Sequence, residues 1–422
     1  MLTIKPFKAV RPHPTYAAEV AALPYDVMNT EEARVMAAGN PRSFLHIDRA
    51  EIDLPPGTDP HAPEVYAKAR AGYLARRADG TFTQDGTPCF YLYRLTMDGR
   101  AQTGIVACAS TRDYDEGRIK KHERTRADKE ADRIRHVDTL DANTGPIFLA
   151  HRPQEGLSTL VREWAGKHAP LYSFEGPGGV LNEAWRVDDL NAIRAIEEAF
   201  RGMDALYIAD GHHRCASAAR VASMRAEADP AHSGDEEYNF FLSVVFPADE
   251  LRILDYNRVV KDLNGLSPEQ FLAALEPGFR IEPADAPVRP ESPRSFGMYL
   301  RGKGWHRLAW QGTPAADDPV AALDVSILQE TVLAPLLGID DPRTDARIDF
   351  VGGIRGLSEL ERRAEDDMTV AFSLYPTQPE QLLAIADAGL LMPPKSTWFE
   401  PKLLSGLFIH ELESSIILNL LN

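Results

Sequence analysis

The sequence has few cysteines and no long apolar run. Its 422 residues include only three cysteines, Cys89, Cys108 and Cys215, and none of them belongs to a CxxC pair. A disulfide scaffold and an all-cysteine zinc site are therefore excluded, and the composition fits a reducing compartment. No stretch of about 18 apolar residues occurs, so we expect no membrane-spanning helix.

Basic residues are also in deficit, since 46 Lys and Arg face 63 Asp and Glu and give a formal net charge of −17. A phosphate backbone has to be met with positive charge, so general nucleic-acid binding is disfavoured. The opening residues MLTIKPF lack the apolar core of a signal peptide, and we expect a cytoplasmic protein. No GxGxxG follows a strand and no GxSxG elbow occurs, which leaves a Rossmann dinucleotide fold and an α/β-hydrolase unsupported.

Short apolar runs alternate with segments whose apolar residues recur every three or four positions. This alternation predicts an α/β fold of the mixed α+β kind. The predicted strands lie at 89–95, 104–109, 146–150, 206–209 and 240–246, with a hairpin over 296–310. The predicted helices lie at 63–77, 127–140, 159–168, 190–201, 214–228 and 268–275. Proline-rich connectors and changes of pattern place soft boundaries that give three regions, 1–110, 111–250 and 251–422.

The strongest candidate site is the segment LYIADGHHR, in which an apolar strand ends at Asp210. Gly211 allows a tight turn, and an amphipathic helix follows. The free N–H groups at the start of that helix, together with Arg214, suit a phosphate. His212 and His213 are adjacent and project in different directions, which disfavours a single metal held by both. The alternative interpretation is a capped helix end with ordinary polar residues.

A second candidate is the KHERT segment, which precedes a predicted helix. Thr125 and Asp128 have the spacing of a capping box that opens this helix. Glu123 is a candidate general base, and His122 a candidate acid or orienting group. The segment is not a zinc motif, because HExxH requires a histidine where Arg126 stands. A solvated loop is the alternative.

The surrounding stretch, 117–136, carries eight basic and four acidic residues, a locally basic region in an acidic protein. We interpret the charges over 129–135 as a solvent-exposed, salt-bridged helix face. They keep a nucleic-acid contact open as an alternative.

A third candidate, GLLMPPKSTWFEPKLLSG, nearly spells a P-loop. Pro394 replaces the second glycine, and proline has no N–H and a fixed φ, so a Walker-type ATPase is rejected. A small set of phosphate-competent donors remains, namely Lys395, Ser396, Thr397, Lys402 and Ser405. A rigid surface loop packed by Trp398 and Phe399 is the alternative. In a fourth segment, PYDV, Tyr25 and Asp26 either line a site or form a structural turn.

The segments PYDV, KHERT, ADGHHR and MPPKSTWFEPKLLSGL occur in this order. Together they resemble the family catalogued as domain of unknown function 1015, over essentially the whole chain, and that name implies no activity. The DGHHR box also resembles the signature of the ParB/sulfiredoxin superfamily. This resemblance implies a ParB/sulfiredoxin-like core with additional N- and C-terminal α/β regions. It also implies a nucleotide ligand, since ParB-type proteins handle CTP, sulfiredoxin uses ATP and an archaeal free serine kinase uses ADP.

The resemblance further implies roles for individual residues. Gly211 to Arg214 would hold phosphate, Asp210 would position the turn or a Mg²⁺ ion, and Glu123 would accept the substrate's proton. The candidate catalytic residues are Glu123, His122, Asp210 and His212. The candidate phosphate- or nucleotide-binding residues are Gly211, His213, Arg214, Arg124, Thr125, Lys395, Ser396, Thr397, Lys402 and Ser405.

The sequence therefore predicts a kinase-like phosphotransfer enzyme that acts on a small hydroxyl compound or its phosphate ester. Serine or phosphoserine is the first expectation, with Mg²⁺ and ADP, ATP or CTP. A non-catalytic regulator that binds a nucleotide or metabolite is the second hypothesis. A ParB-like nuclease or DNA-binding protein is the third, and the net charge weighs against it. We expect a small-molecule substrate and neither a membrane nor a nucleic-acid partner.

Overall fold

The computed structural model describes residues 1–314 and 317–413, which divide into two compact units. One unit consists of Met1–Leu251 together with the segment that begins at Pro401, and the other of Arg252–Glu400. The sequence placed boundaries near 110 and 250, whereas the compact units divide after 251 and after 400. Among the helices of the described residues, none combines the length and the apolar character that crossing a membrane requires.

Helices and strands alternate along both units, which confirms the predicted mixed α/β fold. The helices are α1 Ala17–Val20, α2 Thr30–Ala37, α3 Leu45–Asp48, α4 Pro63–Ala78, α5 Thr111–Asp115, α6 Ala127–Leu140, α7 Glu155–Lys167, α8 Leu190–Arg201, α9 His212–Ala228, α10 Pro268–Leu275, α11 Asp324–Leu328, α12 Leu357–Asp366 and α13 Pro379–Asp387. The strands are β1 Ile4–Lys5, β2 Val10–Pro12, β3 Phe82–Gln84, β4 Phe90–Met97, β5 Arg100–Ser110, β6 Ile119–Lys120, β7 Ala142–Asn143, β8 Ile147–His151, β9 Tyr172–Glu175, β10 Leu181–Val187, β11 Leu206–Asp210, β12 Phe240–Pro247, β13 Ile253–Leu254, β14 Tyr256–Val260, β15 Phe279–Ala284, β16 Ser295–Leu300, β17 Gly304–Trp310, β18 Ile348–Gly352, β19 Val370–Leu374, β20 Trp398–Phe399 and β21 His410–Glu411.

The first unit is built on a nine-stranded sheet in the order β6-β11-β8-β12-β5-β4-β10-β9, with β1 pairing β5 off this path. β11 runs parallel to β6, and β12 runs parallel to β8, while the other neighbours are antiparallel. The central strand β12 is buried almost throughout, as its unbroken apolar sequence FFLSVVF predicts. Every strand predicted before residue 250 lies in this sheet.

Helix α8 shows how the sequence packs a helix on this sheet. Asp189 caps its N-terminus by accepting hydrogen bonds from the backbone N–H groups of Asn191 and Ala192. Its buried residues Ile193, Ile196 and Phe200 recur at three- and four-residue spacing and join the main apolar cluster. That periodicity is the signal that predicted the helix from the sequence.

The second unit contains a six-stranded sheet in the order β15-β17-β16-β19-β14-β18. The predicted hairpin is present as β16 and β17, with Leu300 paired to Gly304 across the turn. Val259, Leu360 and Ala371 contribute to an apolar cluster that joins α12 to this sheet. A separate two-stranded ribbon pairs β13 with β20.

Candidate functional site

The end of β11 and the start of α9 form a tight turn in the first unit. Gly211 separates Asp210 from His212 and has φ +94°, a left-handed conformation that glycine adopts readily. A Cβ at this position would lie 3.4 Å from Arg214 Nε, so the turn is also crowded. No side chain of the described residues caps α9, and the N–H groups of its first turn are therefore available to an anion.

The carboxylate of Asp210 is held on both sides. Lys402 Nζ donates to its Oδ2 at 3.1 Å, and the backbone N–H of Gly211 donates to Oδ1 at 2.8 Å. Burial would raise the pKa of Asp210, but Lys402 and then Arg214 hold it well below its usual range. Asp210 is therefore an anion at neutral pH, and it faces two cations.

Arg214 lies half-buried beside this carboxylate. Its Nη1 donates to the carbonyl of Pro146 at 2.7 Å, and its Nη2 lies 3.9 Å from Asp26 Oδ2. Within the described residues its Nε has no hydrogen-bond partner. Burial alone would lower the pKa of Arg214, but Asp26 and Asp210 raise it, so the guanidinium stays charged. One buried donor of this half-buried cation, its Nε, thus remains for a ligand or water.

A cavity of about 30 Å³ opens beside Arg214, enough for about one or two water molecules. The polar residues that line it include Tyr25, Asp48, Arg133, His136, Thr144 and Ser405. The guanidinium of Arg133 lies 3.9 Å from the centre of the Tyr25 ring, and its Nη2 lies 2.7 Å from Asp132 Oδ2. Thr144 donates to Asp48 at 3.1 Å. The PYDV turn therefore borders the cavity as well as forming a 3₁₀ turn.

On the other side of the α9 start, His122, Glu123 and His212 form a cluster. One ligand atom of each lies within 4.8 Å of the others. The two imidazole rings meet edge to face with centroids 4.5 Å apart, and Glu123 Oε2 lies 3.9 Å from His212 Nδ1. Both histidines are buried, whereas the Glu123 side chain is 47% exposed. A substrate could therefore approach Glu123 from solvent.

The hydrogen bonds of His212 define its tautomer. The backbone N–H of His122 donates to His212 Nε2 at 3.4 Å, which places the imidazole proton on Nδ1, facing Glu123. Burial lowers the pKa of His122 to about 4, and burial together with His122 lowers the pKa of His212 well below its ordinary value. Both rings are neutral at pH 7, and His212 is placed to orient the Glu123 carboxylate.

His122 is unusual because, among the described residues, neither of its ring nitrogens has a hydrogen-bond partner. His122, Glu123 and His212 have the ligand types that bind zinc or iron. A metal on His212 Nδ1 would have to displace the proton that the His122 N–H contact favours there. This geometry therefore fits a proton-transfer role for Glu123 more directly than a metal site.

The other residues of the KHERT and DGHHR segments have local roles. The Nε2 of His213 accepts the backbone N–H of Arg126 at 3.0 Å, so His213 points away from His212. Arg124 is exposed. The predicted capping box is wrong, because Thr125 donates to Glu130 at 3.0 Å and α6 has Arg126, without a side-chain cap, at its N-cap.

Three of the predicted phosphate-binding residues lie in the second unit. Lys395 is exposed, with its Nζ 5.6 Å from the centre of the Tyr256 ring. Ser396 is buried and donates its hydroxyl to the Pro393 carbonyl at 2.6 Å, so it braces the loop. Thr397 is half-buried at the start of β20. Of the same sequence motif, Lys402 and Ser405 belong to the first unit.

Ser405 is buried and pairs with the N-terminal part of the chain. Its backbone exchanges two hydrogen bonds with Ala22, at 2.8 and 3.2 Å. It lines the cavity beside Arg214, so the structure brings it and Lys402 to the DGHHR turn.

Sequence reasoning missed the polar face of α6. Asp132, Arg133 and His136 are buried, so the interpretation of 129–135 as a solvated face is wrong for the first two. Tyr66 donates to Asp132 at 2.7 Å, and Asp132 in turn faces Arg133. The only available signal was spacing, because 132, 133 and 136 share a face with the apolar positions 137 and 140.

Comparison with known proteins identifies a family. A family model described as "Protein of unknown function (DUF1015)" matches residues 4–326. No curated protein matches the chain.

Three solved structures show a low likeness. A mutant free serine kinase in complex with ADP has a TM-score of 0.37 and 13% identity, and the match covers 70% of this chain and 89% of that chain. A conserved hypothetical protein from Pyrococcus furiosus has a TM-score of 0.33 and 13% identity, and the match covers 69% of this chain and 91% of that chain. SbnI with a C-terminal truncation, from Staphylococcus aureus, has a TM-score of 0.35 and 11% identity, and the match covers 71% of this chain and 85% of that chain. These TM-scores do not establish a common fold.

Proposed function

The chain belongs to the DUF1015 family of unknown function, and we propose that it is a phosphotransfer enzyme acting on a small hydroxyl compound or its phosphate ester. Serine or phosphoserine is the first candidate substrate, with ADP, ATP or CTP as the nucleotide. The observation that carries the proposal is the position of Glu123, which lies 3.9 Å from His212 at the start of α9, where Asp210 meets Lys402 and Arg214.

The anion-binding half of the proposal rests on the DGHHR turn. The uncapped N-terminus of α9 and the Nε of Arg214 offer donors to phosphoryl oxygens. Lys402 supplies a second positive charge beside them. Donors fixed in advance around a transferring phosphoryl group are what such a reaction requires, because its transition state spreads negative charge over the equatorial oxygens. We propose the strand–turn–helix as a phosphate-binding element of the ParB/sulfiredoxin kind.

The part of the proposal that concerns a general base rests on Glu123. A carboxylate in contact with solvent can accept the proton of a substrate hydroxyl, provided that it is oriented. The Nδ1 of His212 lies 3.9 Å from Glu123 Oε2 and would help to orient that carboxylate. We propose Glu123 as the base, His212 as its positioning residue and His122 as the group that fixes His212.

The donor set does not favour Asp210 as a magnesium ligand. Both of its oxygens already accept hydrogen bonds, one from Gly211 and one from Lys402. Mg²⁺ binds carboxylates together with phosphate oxygens, so it would have to displace Lys402 here. We therefore propose that Asp210 holds the turn and Lys402 in place.

The test has two steps. The full chain is heated with ADP, ATP, CTP, serine and phosphoserine, each with and without Mg²⁺, and a stabilising pair is taken into a direct phosphotransfer assay. Glu123→Gln should abolish turnover and leave the nucleotide-induced shift in melting temperature nearly unchanged. Glu155→Gln is the matched control, since that side chain is 89% exposed. Undiminished turnover of Glu123→Gln removes Glu123 from the mechanism, and silence across the panel contradicts the nucleotide-dependent serine reaction.

One observation favours the second candidate, a non-catalytic regulator. The N–H groups at the α9 start and the Nε of Arg214 can bind an anionic metabolite whether or not Glu123 takes part in a reaction. This candidate expects ligand-induced stabilisation without turnover. The nucleic-acid hypothesis loses part of its basis, because Arg133 of the basic stretch is buried and Arg118 is paired with Asp113.

A further inference from the structure

In the second unit a positive charge is buried on β14. Arg258 is 4% exposed, and its side chain folds against its own sheet. Its Nη1 donates to the carbonyl of Tyr256, and its Nη2 donates to the carbonyl of Pro394 at 3.4 Å. The guanidinium also lies 5.2 Å from the centre of the Phe350 ring. These contacts stabilise the planar group but bring no negative charge to it.

No carboxylate neutralises Arg258 among residues 1–314 and 317–413. Two acids, one just before β14 and one on the neighbouring strand β18, are paired with other arginines. Asp255 Oδ1 lies 3.3 Å from Arg289, and Asp349 Oδ2 lies 2.9 Å from Arg363. The nearby acids therefore offer no compensation, and the guanidinium is a buried cation without a counter-ion.

Burying an unpaired cation is energetically costly, and proteins rarely keep one without a partner. Burial lowers the pKa of Arg258 to about 10, a direction that its contacts do not reverse. At neutral pH the group still carries its charge. A bound anion would neutralise the buried guanidinium of Arg258, and this explains why a charged group is buried here.

A second cation lies on the adjoining loop. Lys395 follows Pro394, whose carbonyl accepts the Arg258 hydrogen bond, and its Nζ lies over the Tyr256 ring. Lys395 has φ +56°, a left-handed conformation that is strained for a residue other than glycine. Lys395 is exposed to solvent, and the residue before it, Pro394, accepts a hydrogen bond from the buried Arg258.

The loop is held in this form from within. Ser396 donates its hydroxyl to the Pro393 carbonyl at 2.6 Å, and its own carbonyl accepts the hydroxyl of Thr377 at 2.9 Å. Both hydrogen bonds form between residues of the second unit. The loop backbone at Lys395 is therefore fixed before any ligand binds. A site built in advance binds with less loss of entropy.

We infer that Arg258 and Lys395 form an oxyanion site for a phosphoryl group, formed by β14 and the PPKST loop of the second unit. Two of the five N–H groups of the Arg258 guanidinium donate to backbone carbonyls, and the others can donate to the oxygens of a ligand. Two positive charges match a phosphate dianion better than a carboxylate, which carries a single charge. This inference goes beyond the proposed phosphotransfer reaction, since it concerns residues to which that proposal gives no role.

The experiment measures binding to the full chain by calorimetry and by melting temperature. The probes are inorganic phosphate, phosphoserine and ATP, with acetate and chloride at equal ionic strength as comparisons. Phosphate should raise the melting temperature of the wild type more than acetate does. If phosphoserine or ATP raises the melting temperature more than phosphate does, the ligand of this site is a phosphate ester or a nucleotide rather than the free ion.

Variants assign the effect to the site. Arg258→Met should abolish the calorimetric signal of this site and remain as stable as the wild type in phosphate-free buffer, because removing an unpaired buried charge is not costly. Lys395→Gln should weaken phosphate binding by about tenfold or more, the loss expected for a charge-assisted contact, and its exposed side chain makes misfolding no concern. Arg307→Gln, an exposed arginine on β17, is the matched control.

The inference is overturned if the wild type shows no phosphate-specific stabilisation, or if Arg258→Met and Lys395→Gln bind phosphate as the wild type does. Glu123→Gln separates it from the proposed function, since that variant should keep phosphate binding at Arg258 even where turnover is lost. A Glu123→Gln variant that loses phosphotransfer but still binds phosphate at Arg258 therefore distinguishes the two proposals.

Discussion

Lys402 Nζ lies 3.1 Å from Asp210 Oδ2, and this ion pair joins residues that are 192 positions apart in the chain. Lys402 belongs to the segment that returns to the first unit after residue 400, and Asp210 ends β11. The Lys402 side chain is 13% exposed and that of Asp210 is 31% exposed, so the pair is only partly screened by water. It fixes the DGHHR turn from outside the turn.

Lys402→Met should lower the free energy of unfolding at pH 7 by about 1–2 kcal/mol, because it leaves a partly buried carboxylate without its partner. The pKa of Asp210 is depressed in the folded state, so its contribution is present above the unfolded value of about 4 and is lost as pH falls. The difference between wild type and variant should therefore shrink towards pH 3. Urea denaturation at both pH values measures it, with Asp210→Asn and the double variant closing the cycle.

Local pattern was enough to predict the elements that carry the site. The apolar run before Asp210 and the glycine after it predicted β11, the turn and α9, because a strand end and a left-handed glycine are local properties. The periodicity of α8 likewise predicted its bounds, Leu190–Arg201.

The tertiary partners could not be predicted in this way. Arg133 occurs in a run of alternating charges that is typical of a solvated helix, and only its position over Tyr25 makes it a buried residue. The sequence predicts Lys402 as a phosphate-binding residue. Its pairing with Asp210 depends on how the chain returns to the first unit, which the local sequence does not show. Arg258 is the only charged residue of the short strand β14, and nothing near it in sequence marks it as unpaired.

His122 should make the protein less stable in mild acid. Burial lowers its pKa to about 4, so the unfolded chain binds more protons than the folded one between about pH 6.5 and pH 4. Stability is therefore lost as pH falls through this window, by about 2 kcal/mol at pH 5 for a single such group. His122→Phe, which keeps the edge-to-face contact with His212, should lose less stability than the wild type between pH 7.5 and pH 5.

The matched control for this comparison is His168→Gln, because that histidine is exposed. Its stability should follow the wild type at both pH values in chemical denaturation. An identical decline for His122→Phe and the wild type would show that His122 is not the group responsible.

Gly211→Ala should destabilise the turn. A side chain at φ +94° is strained, and its Cβ would crowd Arg214 Nε at 3.4 Å, so a loss of about 1–2 kcal/mol is expected. Binding of any ligand at the α9 start should weaken with it. Gly166→Ala is the matched control, since it lies in α7 with no neighbour within 4 Å and should stabilise the helix by up to about 1 kcal/mol. Equal behaviour of the two alanine variants would argue against strain at Gly211.

The contact between Tyr25 and Arg133 gives the last prediction. The guanidinium lies 3.9 Å from the ring centre inside the protein, where a cation–π contact contributes about 2 kcal/mol. Tyr25→Phe keeps the ring face and should change the free energy of unfolding by less than about 1 kcal/mol. Tyr25→Leu removes the ring and should cost about 2–4 kcal/mol, because it also enlarges the cavity beside Arg214. Denaturation of both variants measures the difference, and equal losses would show that the ring face does not hold Arg133.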